Sequence, residues 1–336
     1  MSKRIGKYTI QMENFPSIEG FASVCGKKES QGPLGKFFDQ TFDDTTLGES
    51  SWEKAESKLQ SEAVNLAIEK SNVTLNDIDF IFAGDLLNQC ISSTFGLRNL
   101  NIPFLGQYGA CSTMAQTLAL SAIMVDSGVA RNCIAVTSSH FCSAERQFRF
   151  PLEYGGQRTP TAQWTVTGSG AVVVGNNGQT PKISSVTIGR IVDLGIKDAN
   201  NMGAAMAPAA ASTLEDFFGD TGTNPNDYDL ILTGDLGEVG SKLMKELLAR
   251  DGIKIENNHK DCGLLIYNQK EQDVHAGGSG CGCSASVLCS LILNNLKNNE
   301  LNNILFLATG ALMSPTSTQQ GESIPSIAHL INIKSS

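Results

Sequence analysis

The residue best suited to chemistry in this chain is Cys111. It comes just before a long apolar stretch, TMAQTLALSAIMV (residues 113–125), which the sequence predicts to be a buried helix. A cysteine at the N-terminus of a helix faces the positive end of the helix dipole, which lowers the thiol pKa and favours the nucleophilic thiolate. The alternative is that Cys111 is a small buried hydrophobic residue, which is the usual state of a free cysteine.

Cys111 belongs to a sequence pattern that occurs twice. IDFIFAGDL (78–86) returns as YDLILTGDL (228–236), with five of nine positions identical at a constant spacing of 150 residues. GACSTMAQTLALSA (109–122) corresponds to GCGCSASVLCSLIL (280–293), and RNCIAVTSS (131–139) to LNNILFLATG (301–310). Each half therefore contains a strand, a loop, a buried helix and a further strand. This order predicts an α/β fold of two halves, residues 1–185 and 186–336, with parallel strands covered by helices on both faces.

An amphipathic helix is predicted before the first of these strands, over SWEKAESKLQSEAVNLAIEKSN (51–72). Its apolar residues recur at helical spacing, so that they form one face. These residues are Trp52, Ala55, Leu59, Ala63, Leu66 and Ala67. We expect this face to cover one side of the first half's sheet.

Two fused halves with a cysteine at the start of the first central helix resemble the thiolase and ketoacyl-synthase superfamily. Within it, the chain resembles a non-enzymatic branch, the stage V sporulation protein AD family. The matching stretches include GPLG (32–35), GDLLNQ (84–89), GACST (109–113), AERQFRFPLEYGGQ (144–157), TVTGSGAVVV (165–174), AMAPAAA (205–211), DCGLLIY (261–267), AGGSGC (276–281) and ATGALMSPTSTQQ (308–320). The resemblance implies a thiolase-like α/β fold, with duplicated βαβαβαββ halves in five layers, αβαβα. It places the site where the N-termini of the two central helices converge.

The resemblance also implies a function. The chain is expected to bind dipicolinic acid (pyridine-2,6-dicarboxylate), as the free acid or as its calcium chelate. It would do so as a soluble component of the SpoVA complex, for uptake of this compound into the forespore during sporulation and its release at germination. A homodimer, contacts with the membrane subunits of that complex, and a peripheral location at the spore inner membrane are implied as well.

Two alternatives stay open: a condensing enzyme that uses Cys111, and a scaffold subunit without a ligand. An enzyme of this kind needs His or Asn partners to move protons and to hold the oxyanion. The positions where the resemblance implies those partners carry Gly234-Asp235 and the stretch GCGCS (280–284). All four histidines, His140, His259, His275 and His329, lie outside them, which favours binding over catalysis.

The candidate ligand-binding residues lie near the two helix starts and in the segment after the first central helix. Backbone N–H groups at helix N-termini bind carboxylates, and arginine side chains complement them. The candidates are Cys111, Ser112, Ser139, His140, Arg146, Arg149, Arg158, Asn88, Cys281 and Cys283, with Asn88 on the side that calcium would occupy. The alternative for the arginines is pairing with Glu145, Glu153 or a second subunit, and for the cysteines it is packing.

Composition excludes several other classes of protein. A formal net charge of −9 argues against nucleic acid as the main partner. The N-terminus lacks the apolar stretch of a signal peptide, and no apolar run is long enough to span a membrane. The nine cysteines lie mostly in apolar runs, which indicates reduced thiols. Cys281-x-Cys283 lacks the usual spacing of zinc ligands, and the glycine-rich GSGCGC (278–283) does not match a nucleotide-binding motif, so no cofactor and no protein-bound metal are expected.

Overall fold

A computed structural model describes residues 3–148 and 158–336 of the 336-residue chain. The strands are β1 Lys3–Ile5, β2 Thr9–Gln11, β3 Ser17–Cys25, β4 Gln40–Thr41, β5 Phe80–Gly84, β6 Phe104–Gly106, β7 Cys133–Ser139, β8 Trp164–Thr165, β9 Gly168–Gly175, β10 Lys182–Thr187, β11 Leu230–Thr233, β12 His259–Asp261, β13 Gly278–Ser279, β14 Asn303–Ala311 and β15 Ser326–Lys334. The helices are α1 Lys27–Ser30, α2 Trp52–Glu69, α3 Ile91–Leu97, α4 Thr113–Asp126, α5 Phe141–Phe148, α6 Met202–Thr221, α7 Gly237–Arg250, α8 Cys262–Leu265, α9 Cys281–Val287, α10 Leu293–Lys297 and α11 Pro315–Gln319.

The strands repeat one order in the two halves of the chain. The first half has the order β6-β5-β7-β9-β3, and the second has β12-β11-β14-β15-β10. In each half the first three strands are parallel and the last two are antiparallel to their neighbours. The sheet is therefore mixed, whereas the sequence pattern predicts parallel strands. The halves join where Lys182 of β10 lies opposite Ser17 of β3. The division after residue 185 stays a prediction, and Ser185 lies within β10.

Successive strand residues face different hydrophobic cores, because side chains alternate along a strand. In β7, Val136 packs in the core that includes α2, whereas Ala135 packs in the core that includes α4 and α9. In β14, Phe306 joins the α4 and α9 core, whereas Leu307 packs with α6 and α7. The layers therefore follow the order α2, first half-sheet, α4 with α9, second half-sheet, and α6 with α7. The expected order of five layers, αβαβα, is confirmed.

The two central helices, α4 and α9, have no polar face because they lie between the half-sheets. Every residue of α9 is buried, and α9 continues through one π-helical turn, Leu288–Ile292, into α10. Most residues of α4 are buried as well. None of the helices in the two described ranges is long and apolar enough to cross a membrane.

Candidate functional site

The turn before α4 places Cys111 at the surface of a cavity. Residues Ala110–Ser112 form a short 3₁₀ turn, in which Ala110 has a φ of 49°, a left-handed conformation that costs energy for a residue with a side chain. Side chains stabilise this turn: Thr113 Oγ1 donates to the carbonyl of Ala110 at 2.6 Å, and Ser112 Oγ donates to the carbonyl of Gly109 at 2.7 Å. The Cys111 side chain remains directed toward the cavity and is 6% exposed.

The cavity has a volume of about 240 Å³ and lies between the two halves of the chain. Its apolar walls come from Leu86, Tyr108 and Phe148 of the first half and from Met202 and Met313 of the second half. Its polar lining residues are Cys111, Glu145, Thr165, Asn200 and Ser279. Mostly apolar walls with a few converging polar groups are typical of small-molecule sites.

A buried carboxyl group lies behind Cys111 and Ser279, outside the lining of this cavity. Asp235 follows strand β11 and is fully buried. Ser279 Oγ and the Gly280 N–H donate to its Oδ2 at 3.1 and 2.9 Å, and Thr309 Oγ1 donates to its Oδ1 at 3.0 Å. Ser279 Oγ is also 3.9 Å from the Cys111 sulfur.

Burial, and then the Asp235 carboxyl, raise the pKa of the Cys111 thiol well above its ordinary value. Burial disfavours the thiolate because it removes the charge from water, and a neighbouring carboxylate repels it. Both effects oppose the lowering of the thiol pKa that a helix start favours, so the site lacks the activation that the nucleophile alternative for Cys111 needs.

The N-terminus of the second central helix is closed by side chains of this chain. The Gly280 N–H donates to Asp235, the Gly282 N–H donates to Ser139 Oγ at 3.2 Å, and the Cys283 N–H donates to the carbonyl of Gly280. The two helix starts do converge, since the Cys111 turn packs against α9. However, Asp235 and Ser139 accept from the Gly280 and Gly282 N–H groups, so these two groups are not free to bind a ligand between the helix starts.

Comparison with known proteins agrees with this architecture. The family profile described as Stage V sporulation protein AD (SpoVAD) matches residues 6–334. Stage V sporulation protein AD of Bacillus subtilis (strain 168) is 50% identical over 327 residues, which cover 97% of this chain and 96% of that protein. The chain belongs to the stage V sporulation protein AD family. It is therefore a protein of sporulation, as the resemblance in its sequence implies.

Solved structures of condensing enzymes have the same fold as this SpoVAD family member. 3-oxoacyl-(acyl-carrier-protein) synthase III from Aquifex aeolicus VF5 has a TM-score of 0.56 at 13% identity, with 95% of this chain and 99% of that chain covered. Cerulenin-bound OleA of Xanthomonas campestris has a TM-score of 0.61 at 14% identity, with 96% and 98% covered. At such identities the likeness establishes the fold alone.

Among the predicted ligand-binding residues, Cys111 lines the cavity, and the predicted hydroxyl and imidazole groups do not. The Ser112 hydroxyl is directed back to Gly109, and Ser139 Oγ donates to the carbonyl of Val166 at 2.7 Å. His140 Nδ1 accepts from the Cys142 N–H at 3.1 Å, so its Nε2 carries the proton and donates to the carbonyl of Thr45 at 2.7 Å. Burial lowers the pKa of His140 and keeps it neutral. These three side chains stabilise the loops around the site.

Cys281 and Cys283 do not line the cavity. They are packing residues, which is the alternative to ligand binding given above. Both are fully buried. The Cys281 sulfur contacts the carbonyl of Ser138 at 3.0 Å, and Cys281 packs beside Cys111. The Cys283 sulfur is 3.7 Å from the carbonyl of Gly234. None of the nine cysteines, which all lie in the described ranges, forms a disulfide.

Arg146, Arg158 and Asn88, which lie in the described part of the chain, do not line the cavity. Arg146 forms an ion pair with Glu53 of α2 and lies over the ring of Trp52, so its partner is an acidic residue other than the two the sequence analysis considered. Arg158 stacks on Trp164, with 4.7 Å between guanidinium carbon and ring centroid. Arg149 lies outside the described residues.

Asn88 is exposed, and its backbone N–H donates to Gln147 of α5 at 3.0 Å. Within residues 3–148 and 158–336, no cluster of three or more His, Cys, Asp or Glu side chains is arranged to hold a metal ion. A role of Asn88 beside calcium stays a prediction.

Three important site residues are missing from the sequence prediction: Asp235, Ser279 and Glu145. The sequence does signal Asp235, because the Gly-Asp-Leu motif repeats at the end of both strands. Its function as a hydrogen-bond acceptor for Ser279 and Gly280 depends on contacts between residues 44 and 45 positions apart. No local pattern predicts such contacts.

Proposed function

We propose that this SpoVAD family member binds dipicolinic acid in the cavity above Cys111, as the ligand-binding component of the SpoVA complex that moves this compound into the forespore and releases it at germination. The observation that carries the proposal is a cavity of about 240 Å³ whose innermost cysteine is held neutral. A site of this kind suits reversible binding better than covalent chemistry, because the thiolate, not the thiol, is the nucleophile.

The size and chemistry of the cavity fit a small aromatic acid. Dipicolinate has about a dozen non-hydrogen atoms, which is small among cavity ligands. Tyr108 and Phe148 supply aromatic surface for a planar ring, and Asn200 and Thr165 supply polar groups that can form hydrogen bonds. One carboxylate can approach the turn before α4 beside Cys111. The Ser112 and Thr113 N–H groups of this turn already donate to the carbonyls of Gly109 and Ala110, so the attraction there comes from the positive end of the helix.

The second carboxylate needs a positive partner near the cavity mouth. Arg149, a ligand residue predicted from the sequence, stays a candidate for this role on the sequence alone. Glu145 also lines the cavity, and an ionised Glu145 would repel a free dianion. This favours testing the calcium chelate, in which the cation offsets the ligand's charge.

We propose further that the protein is not a condensing enzyme. The groups next to Cys111 are Ser279 and Asp235, and neither is a His or Asn that could take the thiol proton or hold an oxyanion. The fold of condensing enzymes therefore serves binding in this chain. Turnover of an acyl-CoA that depends on Cys111 would overturn this part of the proposal.

The assembly that we propose is a homodimer that contacts the membrane subunits at the inner spore membrane. Strand β6 is the last strand of the path in the first half, and in the described sheet it pairs only with β5. Its apolar side chains are exposed: Leu105 is 43% exposed, and Phe95 on the nearby α3 is 51% exposed. A second copy that pairs with this edge would cover both.

Calorimetry on the purified full chain tests the binding function. Dipicolinate, isophthalate and benzoate should each be titrated with and without calcium, because they differ in the ring nitrogen and in the number of carboxylates. We expect dipicolinate to bind most tightly, since each charge-assisted contact that is lost costs about 1.5–3 kcal/mol, or roughly ten- to a hundredfold in affinity. Absence of binding heat for dipicolinate under both conditions, with a folded protein, would instead support the ligand-free scaffold.

A further inference from the structure

The Gly-Asp-Leu motif of the second half places a fully buried carboxyl group behind Cys111 and Ser279, two residues that line the cavity. Asp235 accepts three hydrogen bonds, from Ser279, Gly280 and Thr309, at 2.9–3.1 Å. These donors come from two separate segments, the start of α9 and strand β14. The carboxyl group is therefore fixed in position and cannot turn away from its neighbours.

Ser279 connects this carboxyl group with Cys111. Its hydroxyl donates to Asp235, and its oxygen is 3.9 Å from the Cys111 sulfur, within reach of a weak hydrogen bond from the thiol. A thiol that donates to Ser279 gives a chain of donors that runs from Cys111 to Ser279 and on to Asp235. A thiolate would have to place its negative charge near the Asp235 carboxyl instead.

The other titratable groups that face Cys111 are uncharged or acidic. Tyr108 precedes the Cys111 turn, Glu145 lies on α5, and Cys281 and Cys283 lie on α9. Burial raises the pKa of Tyr108 to about 12 and that of both α9 thiols well above their ordinary value. The described lining of the cavity thus contains no cation that would stabilise a thiolate.

We infer that Asp235, fixed beside Cys111 by Ser279, Gly280 and Thr309, is a positioning residue that disfavours a negative charge on the Cys111 sulfur and so makes the cavity floor a surface for binding a ring rather than a nucleophile. This inference deepens the proposed binding function and rests on it for its purpose. Its test uses no dipicolinate, so that its failure and the failure of the binding function can be told apart.

The test is the pH dependence of Cys111 alkylation by iodoacetamide in the full chain. In this reaction the sulfur forms a bond to carbon and iodide leaves. Mass spectrometry of the tryptic peptide from residue 99 to 131 reports on Cys111 alone, because this peptide contains no other cysteine. Asp235→Asn keeps an oxygen for Ser279 and Gly280, and its amide can donate to Thr309. Because it removes the repelling charge, we expect Cys111 to react roughly ten- to a hundredfold faster at pH 8, with a lower midpoint of the pH profile.

Asp85→Asn is the matched control. Asp85 is the corresponding residue of the first half, is equally buried, and bonds to its own loop and to Ser93. This variant should leave the Cys111 profile within about twofold of wild type. A profile of Asp235→Asn that coincides with wild type would overturn the inference. If Asp235→Asn does not fold, Asp235→Ser replaces it, with the same expected acceleration, and a Cys111 profile that coincides with wild type overturns the inference.

Discussion

Substitution of Cys111 by leucine and by serine separates a cavity wall from a nucleophile. The Cys111 side chain packs against Leu86, Ala144 and Cys281, so a larger side chain has no room on those sides. Its remaining direction is into the cavity. Serine is slightly smaller than cysteine and leaves the cavity open.

The size of the effect follows from the volume of the cavity. Leucine has two more non-hydrogen atoms than cysteine, and if each takes up roughly the 30 Å³ that a water molecule does, together they fill about 60 Å³. That is a quarter of the cavity volume of about 240 Å³. Overpacking of this kind costs about 1–3 kcal/mol, which corresponds to a loss of roughly five- to 150-fold in dipicolinate affinity. We expect Cys111→Ser to change the affinity by less than about threefold.

Isothermal titration calorimetry with dipicolinate measures these affinities directly. Cys142→Leu is the matched control, since Cys142 is a half-exposed residue of α5 that does not line the cavity. Wild-type affinity in Cys111→Leu would place the ligand elsewhere and refute the proposed site. A loss in Cys111→Ser as large as in Cys111→Leu would show that the sulfur itself is required, and would bring an enzyme function back into consideration.

Three further predictions concern stability and assembly. Gly310→Ala should destabilise the protein by about 1–3 kcal/mol in urea unfolding, because a Cβ atom there would lie 2.2 Å from the carbonyl oxygen of Gly109; unchanged stability would contradict this packing. Burial raises the pKa of Glu56 from 4.5 to about 8, so the folded protein keeps a proton that the unfolded chain loses over this range, and wild-type stability should fall as the pH rises through it. Glu56→Gln should reduce this fall between pH 5 and pH 8, and an equal fall in both proteins would show that Glu56 is not protonated when folded. Leu105→Lys should convert the dimer to monomer in light scattering, whereas Val129→Lys, at a site 62% exposed, should not; a monomeric wild type would exclude this interface.

The layer order and the central helices follow from the sequence because they depend on apolar periodicity and on the repeat. The strands predicted in IDFIFAGDL and YDLILTGDL are β5 Phe80–Gly84 and β11 Leu230–Thr233. The predicted amphipathic helix is α2, whose residues Ala55, Leu59, Ala63 and Ala67 are fully buried. Apolar spacing is a local property, and it is the main determinant of which face of an element is covered.

Helix α2 also buries polar residues, which apolar spacing does not predict. Glu56 and Gln60 are also buried on α2, although both are polar. Ser143 of α5 donates to Glu56 Oε2 at 2.6 Å, and Gln60 Nε2 donates to Ser138 Oγ at 2.9 Å. These partners are 87 and 78 positions away along the chain, so no helical pattern predicts that the polar groups are satisfied. The prediction of Arg146 as a ligand residue has the same weakness, because its distant partner Glu53 cannot be found from sequence spacing.

Three aspartates explain why the starts of the two central helices differ. In the first half, Asp85 Oδ1 accepts from the Leu87 N–H at 2.9 Å and so stabilises the loop after its own strand. In the second half the corresponding loop N–H, that of Gly237, donates instead to Asp261 at 3.0 Å. Because Asp261 stabilises this loop, Asp235 is left to bond with Ser279 and Gly280.

This exchange of partners explains why the two related helix starts differ. Asp235 closes the N-terminus of α9, whereas the turn before α4 still borders the cavity at Cys111. A carboxylate already held at the start of α9 leaves no place there for a carboxylate of a ligand, since like charges repel strongly where water is excluded. A dicarboxylate can therefore approach only the helix start at Cys111, and its other carboxylate has to be held by polar side chains of the other cavity walls, such as Thr165 and Asn200. Substitutions of Thr165 and Asn200 should consequently change the preference between one and two carboxylates more than substitutions at the start of α9.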